Sequence, residues 1–296
     1  MARYKESNGL SDVKDFIIES LPKATDNIFR IIIKVIFYLC IIGILGSCVY
    51  LTGYFSKYYV EKKVINEERE ISALEYGSLL LKQRNNEYVA WLNIENTELN
   101  NPIYQTDNND FYLNHNSLRK KSDYGALFLD CRSDFTDKNI VIYGNTKEDG
   151  SLFSTLHNYR RVKYFKENPI ISLTRVQKTY HYVAFAAFVM NSDASQDGGK
   201  MYNVYKKDFS NEKTFNKWIE EAKIRSLVNT EIDLSMEDNY LTLITSCDDF
   251  EGARLVVMAR LLRGNEKNTV ACKYSINKNP KFPKKWYDDR NIEYIY

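Results

Sequence analysis

The chain has 296 residues, of which 44% are hydrophobic and 14% aromatic, so it can bury a sizeable core in one large domain with attachments. Its 41 basic and 39 acidic side chains leave a net charge of +2, which gives no reason to expect nucleic acid as the main partner. Its five cysteines form no CxxC pair of the kind found in zinc sites and redox motifs. We therefore expect neither a structural metal nor a cofactor.

An uncharged apolar run from Val35 to Phe55 dominates the N-terminal part of the chain, and it is about long enough to cross a bilayer. It predicts a tail over residues 1–30, which is either a short amphipathic helix or a loosely attached segment, and a transmembrane helix over residues 31–55. A cleaved signal peptide is the alternative, but about thirty mainly polar residues precede the run and no clear cleavage site follows it. The basic residues on the two flanks nearly balance, so the positive-inside rule leaves the orientation open.

Residues 56–85 have apolar side chains at helical spacing and no proline, which predicts a stalk of one or two helices. The pattern then changes to short β-favouring runs separated by Asn, Asp and Pro, typical of a β-rich domain with tight turns. Five side chains of this part are expected in the core: Trp91, Ile94, Ile103, Tyr112 and Leu113. His115 lies in the turn-like segment YLNHN, and we expect it to be structural.

The segment from Asn139 to Phe153 reads NIVIYGNTKEDGSLF, a buried strand that runs into a polar loop containing Asn145. We predict a helix over residues 152–165, which contains His157, and a pair of strands over residues 170–190, which contains His181. An amphipathic helix is predicted over residues 209–226.

Two apolar runs rich in β-branched residues follow, in NYLTLITSCDDFEGARLVVMARLLR, and an acidic connector joins them. Such runs predict a pair of strands. Ser246, Cys247 and Arg254 lie at the strand ends, where side chains can converge. Because alternate residues of a strand share a face, Thr242 and Ser246 are expected to point together and Cys247 to point away. A β-bulge before Cys247 would reverse this assignment and is kept as the alternative.

Several ordered motifs resemble class B sortases, the enzymes of Gram-positive bacteria that join surface proteins to the cell wall. WLNIENT, NPIYQ, DFYLNHN and GALFLD resemble the opening strands of that family, and YG with a following DGS loop, TLITS and ARLVVMARLLR resemble its later part. The resemblance implies a mainly β fold with helices, a sortase-like eight-stranded β-barrel over residues 86–263 with an inserted late helix. It also implies that the N-terminus is cytoplasmic and that the large domain lies outside the cell.

The resemblance implies a catalytic site with two substitutions. In the family, YGHN supplies a catalytic histidine and TLxTC a nucleophilic cysteine, whose thiolate attacks a sorting signal near the C-terminus of a secreted protein. Here Asn145 occupies the histidine position and Ser246 the cysteine position, while Cys247 follows one residue later. Arg254 matches the family arginine, which donates hydrogen bonds to the oxyanion or to the substrate.

Two interpretations follow. In the first, the protein is an inactive sortase-like protein that binds a sorting signal or a second sortase through the retained groove and Arg254. In the second, it is a working transpeptidase that uses Cys247 and passes the signal, of the NPxTN type in class B, to a peptidoglycan amine. An unrelated membrane-tethered β-protein is the remaining alternative.

The tail over residues 264–296 is polar, basic and aromatic, and neither its sequence nor the resemblance assigns it a role. Cys131 and Cys272 are expected to be buried free thiols. A disulfide between them is the alternative, but nothing in the sequence places them within bridging distance.

Overall fold

The structure is a computed structural model that describes residues 18–197, 199, 201–264, 266 and 272–294. The chain divides into two compact units, Met1–Lys63 and Val64–Tyr296. Most of the tail predicted over residues 1–30 lies outside the described residues.

A 45-residue helix, α1 (Ile28–Ser72), contains the apolar run. Its most apolar window of 18 residues has a mean hydropathy of 2.5, so the helix is long and apolar enough to cross a membrane by length and composition. The helix has no break near Phe55 and continues through the first part of the predicted stalk. A second helix, α2 (Gly77–Arg84), then leads to the first strand.

Eight strands close into a barrel in the order β1-β2-β3-β4-β8-β9-β6-β5, which confirms the expected fold. These strands are β1 (Tyr88–Asn93), β2 (Asn100–Tyr104), β3 (Leu127–Leu129), β4 (Asn139–Tyr143), β5 (Ile170–Arg175), β6 (Lys178–Asn191), β8 (Tyr240–Ser246) and β9 (Ala253–Leu261). Two further strands, β7 (Val228–Thr230) and β10 (Tyr274–Ile276), pair with each other outside the barrel. The remaining helices are α3 (Val162–Glu167), α4 (Glu212–Arg225), α5 (Lys284–Asp288) and the 3₁₀ helices Phe111–Leu113, Phe153–Arg160 and Ala194–Asp197.

Alternation along β8 divides its side chains between two cores. Leu241 and Leu243 point into the barrel, whereas Tyr240 and Ile244 lie on the outer face. The amphipathic helix α4 covers that outer face with its buried side chains Phe215, Trp218, Ile219 and Ala222. Asn211 caps this helix by accepting a hydrogen bond from the Thr214 amide at 3.0 Å. The prediction of an amphipathic helix before β8 is therefore confirmed.

Two local predictions were wrong. Residues 152–165 do not form one helix, because Arg161 has extended backbone angles and separates the 3₁₀ helix Phe153–Arg160 from α3. Leu113 is 42% exposed instead of buried, since it ends a single 3₁₀ turn in which Tyr112 takes the inward direction. The other four expected core residues are buried.

The last turns of α1 bury a carboxylic acid. Glu68 is only 2% exposed, and its Oε1 accepts a hydrogen bond from the Tyr104 hydroxyl at 3.1 Å. Burial, which disfavours the charged form, raises the pKa of Glu68 from 4.5 to about 7. The folded protein therefore holds this proton more tightly than the unfolded chain does.

Glu68 should make the protein less stable as the pH rises. Its contribution is fully favourable below the unfolded pKa of 4.5 and is lost as the pH rises through the folded pKa of about 7. The loss amounts to about 3 kcal/mol, since each tenfold change in proton affinity is worth about 1.4 kcal/mol. We expect Glu68→Gln to remove this dependence and to raise the free energy of unfolding at pH 8 but not at pH 4.5, as measured by denaturant titration with tryptophan fluorescence.

The matched control is Glu95→Gln, because Glu95 is exposed. It should leave the pH dependence of unfolding unchanged. Equal stability of wild type and Glu68→Gln at pH 8 would contradict the burial of a charged Glu68.

Candidate active site

The end of β8 lies opposite the start of β9. The two strands pair antiparallel without a register shift from Tyr240 to Ser246, and the last pair is Ser246 with Arg254. Directly opposite residues of antiparallel strands share a face, with Cβ atoms about 4.5–5.5 Å apart. Ser246 is exposed and Arg254 half-buried, and both continue the outer face that carries Ile244.

Cys247 points the other way, into the barrel. It is only 7% exposed and belongs to the interior core, together with Leu243 and Phe250. Burial, helped by the nearby Asp249 carboxylate, raises the pKa of the Cys247 thiol to about 12. Because the β8–β9 register contains no bulge, the alternative that turned Cys247 toward the outer face finds no support in this geometry.

The loop after β4 reaches the same place. β4 runs parallel to β8 with Tyr143 opposite Ile244, and the Gly144 amide donates to the Ile244 carbonyl at 3.2 Å. A side chain at Gly144 would collide with Leu127 and the ring of Phe153, so only glycine allows this close approach.

Asn145, the next residue, is held by its side-chain amide. Its Nδ2 donates to the carbonyls of Leu113 at 2.8 Å and Tyr124 at 3.0 Å, so both amide hydrogens are engaged. An amide has no basic nitrogen, so Asn145 can fix the loop but cannot take a proton from a nucleophile.

Thr146 joins this loop to the end of β8. Its Oγ1 lies 2.8 Å from Oγ1 of Thr245 and donates to the Ser246 carbonyl at 3.2 Å. The structure thus brings the loop of Asn145, the strand end at Ser246 and the start of β9 at Arg254 together, and it directs Cys247 into the interior.

Arg254 keeps most of its donors free. Its Nη1 donates to the Ala253 carbonyl at 2.9 Å, and no carboxylate of the described residues pairs with it. The Ser246 hydroxyl likewise has no hydrogen-bond partner among the residues that the structure describes. This face therefore presents a cation and a hydroxyl that a ligand can reach.

His157 lies at the site, although no local sequence pattern predicts its position there. Its Nε2 is 3.1 Å from the Ser246 carbonyl and 3.0 Å from Oγ1 of Thr146. A carbonyl only accepts, so Nε2 carries the proton in that contact and donates it to the backbone of Ser246, not to the side chain. Burial, with the nearby Arg160 charge, lowers the pKa of His157, so the ring is neutral at pH 7.

The other two histidines have structural partners elsewhere. His115 stacks on Phe111 with ring centroids 4.1 Å apart, and its Nδ1 lies 2.9 Å from the Phe111 carbonyl. His181 on β6 has its Nδ1 2.9 Å from the Ser172 hydroxyl. Among the described contacts, neither ring hydrogen-bonds to Asn145 or Ser246.

The connector between β8 and β9 is fastened by an ion pair. Both terminal nitrogens of Arg160 bond to the Asp249 carboxylate, at 3.1 and 2.5 Å. Burial alone would raise the pKa of Asp249, but the Arg160 guanidinium holds it below its usual range. The 3₁₀ helix Phe153–Arg160 therefore fixes the connector through Arg160 and the end of β8 through His157.

Comparison with known proteins gives one consistent result. The sortase domain family matches residues 92–262. Sortase B of Listeria monocytogenes is 30% identical over 187 residues, which cover 62% of this chain and 72% of that protein.

Solved structures agree with this match. A cysteine-to-serine mutant form of Clostridium perfringens sortase B superposes with a TM-score of 0.62 at 29% identity, covering 69% of this chain and 99% of that one. The Staphylococcus aureus sortase B–substrate complex gives a TM-score of 0.63 and covers 71% of this chain and all of that one. At 22% identity, the second likeness shows the fold alone.

Cys247 should resist thiol reagents in the folded protein. With a pKa of about 12, only about one molecule in ten thousand carries the thiolate at pH 8, and the side chain is buried as well. We expect peptide mapping by mass spectrometry after brief labelling to find Cys131, which is half-buried, modified well before Cys247.

In denaturant, both cysteines should be labelled at similar rates, which is the internal control. Labelling of Cys247 ahead of Cys131 in the native protein would contradict its interior position.

Proposed function

This chain belongs to the sortase family, with class B sortases among its relatives, and we propose that it binds the C-terminal sorting signal of surface proteins without transferring it. The proposal is carried by one observation. Ser246 and the loop of Asn145, which the motif comparison matches to the family's cysteine and histidine positions, lie together with Arg254, whose guanidinium pairs with no carboxylate among the described residues.

Turnover is disfavoured because the site lacks a base that could accept the proton of the nucleophile. A serine hydroxyl is a weak nucleophile unless a base removes its proton, and Asn145 has no basic nitrogen. His157 donates to the Ser246 carbonyl, which argues against its serving as a replacement base. Loss of a general base commonly costs about 10² to 10⁴ in rate.

Binding is favoured because the site keeps hydrogen-bond donors that a peptide can use. An arginine without an internal carboxylate can donate several hydrogen bonds to the backbone carbonyls of an extended peptide. Arg254 and the exposed Ser246 hydroxyl lie on one face, next to the loop that Thr146 fastens to β8. A peptide with the class B signal would be held there as a reversible ligand, and a second sortase is the other candidate partner.

The same proposal places the protein at the membrane. The apolar part of α1 would form a single span over residues 31–55, with a cytoplasmic tail before it and a stalk over residues 56–85 after it. The sortase domain, residues 86–263, would then face the cell wall and its peptidoglycan amines.

The alternative, an active transpeptidase that uses Cys247, has to overcome two physical obstacles. The thiol lies inside the barrel, and both burial and Asp249 oppose its ionisation. Attack on a peptide on the outer face would require the end of β8 to unpair from Arg254 and rotate.

Removing the arginine should weaken peptide binding. We expect Arg254→Ala to raise the dissociation constant for NPxTN-type peptides about tenfold to a hundredfold, because a hydrogen bond to a charged group is worth about 1.5–3 kcal/mol. Fluorescence anisotropy with a labelled peptide measures this. Arg175→Ala, at an exposed arginine of β5, is the matched control and should bind like wild type. Equal affinities for all three proteins would refute binding through Arg254.

Restoring both family residues should restore the reaction. We expect the double variant Asn145→His, Ser246→Cys to cleave NPxTN-type peptides and form a thioester, while wild type and each single variant stay at least a hundredfold slower. Product formation is followed by mass spectrometry. Cleavage by wild type that disappears in Cys247→Ala would instead establish the active alternative.

A further inference from the structure

The C-terminal segment is built onto the barrel domain by main-chain hydrogen bonds. β10 pairs antiparallel with β7, with Tyr274 opposite Thr230. Beyond β10, the Asn277 side-chain amide donates to the Ser226 carbonyl at 2.7 Å, and the Lys281 amide donates to the Ile224 carbonyl at 2.9 Å. These contacts hold the C-terminal segment against the end of α4 and fix its direction beyond that point.

A stack of three side chains then holds the segment in place. The rings of Phe282 and Trp286 are 4.2 Å apart and nearly parallel, and both pack against the interior core. The Arg290 guanidinium lies over the Trp286 ring, 4.3 Å from its centroid. Arg290 is therefore held by a platform that is itself anchored in the core.

From this position the segment contacts both loops beside the candidate site. The Lys285 amide donates to the Asp197 carboxylate at 3.3 Å, in the loop after β6. Arg290 donates from Nη2 to the Asp249 carbonyl at 3.2 Å, in the connector between Ser246 and Arg254.

The segment also covers the end of β6 next to Arg254. Met190 of β6 is the register partner of Arg254 on β9. Met190 and Asn191 face Lys281 and Pro283 across a cavity of only about 30 Å³, so little space remains between strand and segment. The C-terminal residues therefore lie against the end of β6 that pairs with the start of β9.

We propose that residues 274–294 form a strap that positions the connector 247–252 beside the candidate site, with Arg290 as its positioning residue. Asp249 is held at two different points, since Arg160 binds its carboxylate and Arg290 binds its main-chain carbonyl. Two anchors fix both the side chain and the backbone of a connector whose Gly252 already adopts a positive φ of 85°. The strap thereby limits the motion of the connector that joins Ser246 to Arg254.

Hydrogen exchange on the full chain tests the strap without any ligand. Arg290→Gln removes the guanidinium and should speed amide exchange in residues 248–252 about fivefold to tenfold, while exchange within β8 and β9 and the melting temperature stay unchanged. Lys278→Gln is the matched control, because Lys278 is an exposed cation of the same strap that makes no hydrogen bond or ion pair with the described residues. Amide exchange in residues 248–252 of Lys278→Gln should proceed at the wild-type rate.

Two outcomes overturn the proposal: connector exchange in Arg290→Gln equal to that in Lys278→Gln, or faster exchange confined to the strap itself. A second readout is the affinity for the NPxTN-type peptide, which should fall severalfold in Arg290→Gln because the connector is no longer preorganised. If wild type binds no peptide, the proposed function fails. The exchange measurement needs no ligand and still tests whether the strap positions the connector.

Discussion

The pairing of Ser246 with Arg254 at the end of the β8–β9 hairpin is the constraint on which the site depends. Side chains of a strand alternate with a period of exactly two, so a shift of one residue exchanges the two faces. An unbroken register from Tyr240 onward therefore puts the serine outside and the neighbouring thiol inside. The chemical character of the site follows from that parity, because the sheet itself separates the Cys247 sulfur from the outer face.

The barrel core does not rely on the side chains of Asn145 and Ser246. Ser246 is exposed, and Asn145 satisfies two loop carbonyls with an amide, so neither residue leaves a cavity or an unpaired buried group. The interior accepts Cys247 as a small apolar side chain. The packing of the barrel therefore does not depend on the side chains of Asn145 and Ser246.

Much of the fold could be predicted from the sequence, because its signals are local. The alternation in TLITS and in LVVMARL, the turn residues between short strands and the apolar stripe of α4 each follow from a repeat of two or about four residues. The break at Arg161 and the exposure of Leu113 could not be predicted, since both depend on which neighbour takes the inward direction after tertiary packing.

The site could be predicted only in part, because some of its contacts join residues that are far apart in the sequence. Strand parity placed Ser246 and Cys247 on opposite faces, and motif position placed Asn145 beside them. His157 and Arg290 escaped prediction because their partners, Ser246 and Asp249, are 89 and 41 positions away in the chain. Nothing in the local pattern of either residue indicates a contact at that separation.

The 3₁₀ winding of the helix Phe153–Arg160 determines how two of its side chains are aligned. With three residues per turn, side chains at positions i and i+3 eclipse one another, whereas an α-helix would splay them by about 60°. His157 and Arg160 are separated by three positions, so the tight winding aims both at one short stretch of chain, the first at the carbonyl of 246 and the second at the carboxylate of 249. Relaxation of that single turn into an ordinary α-helical one would misalign both attachments at once.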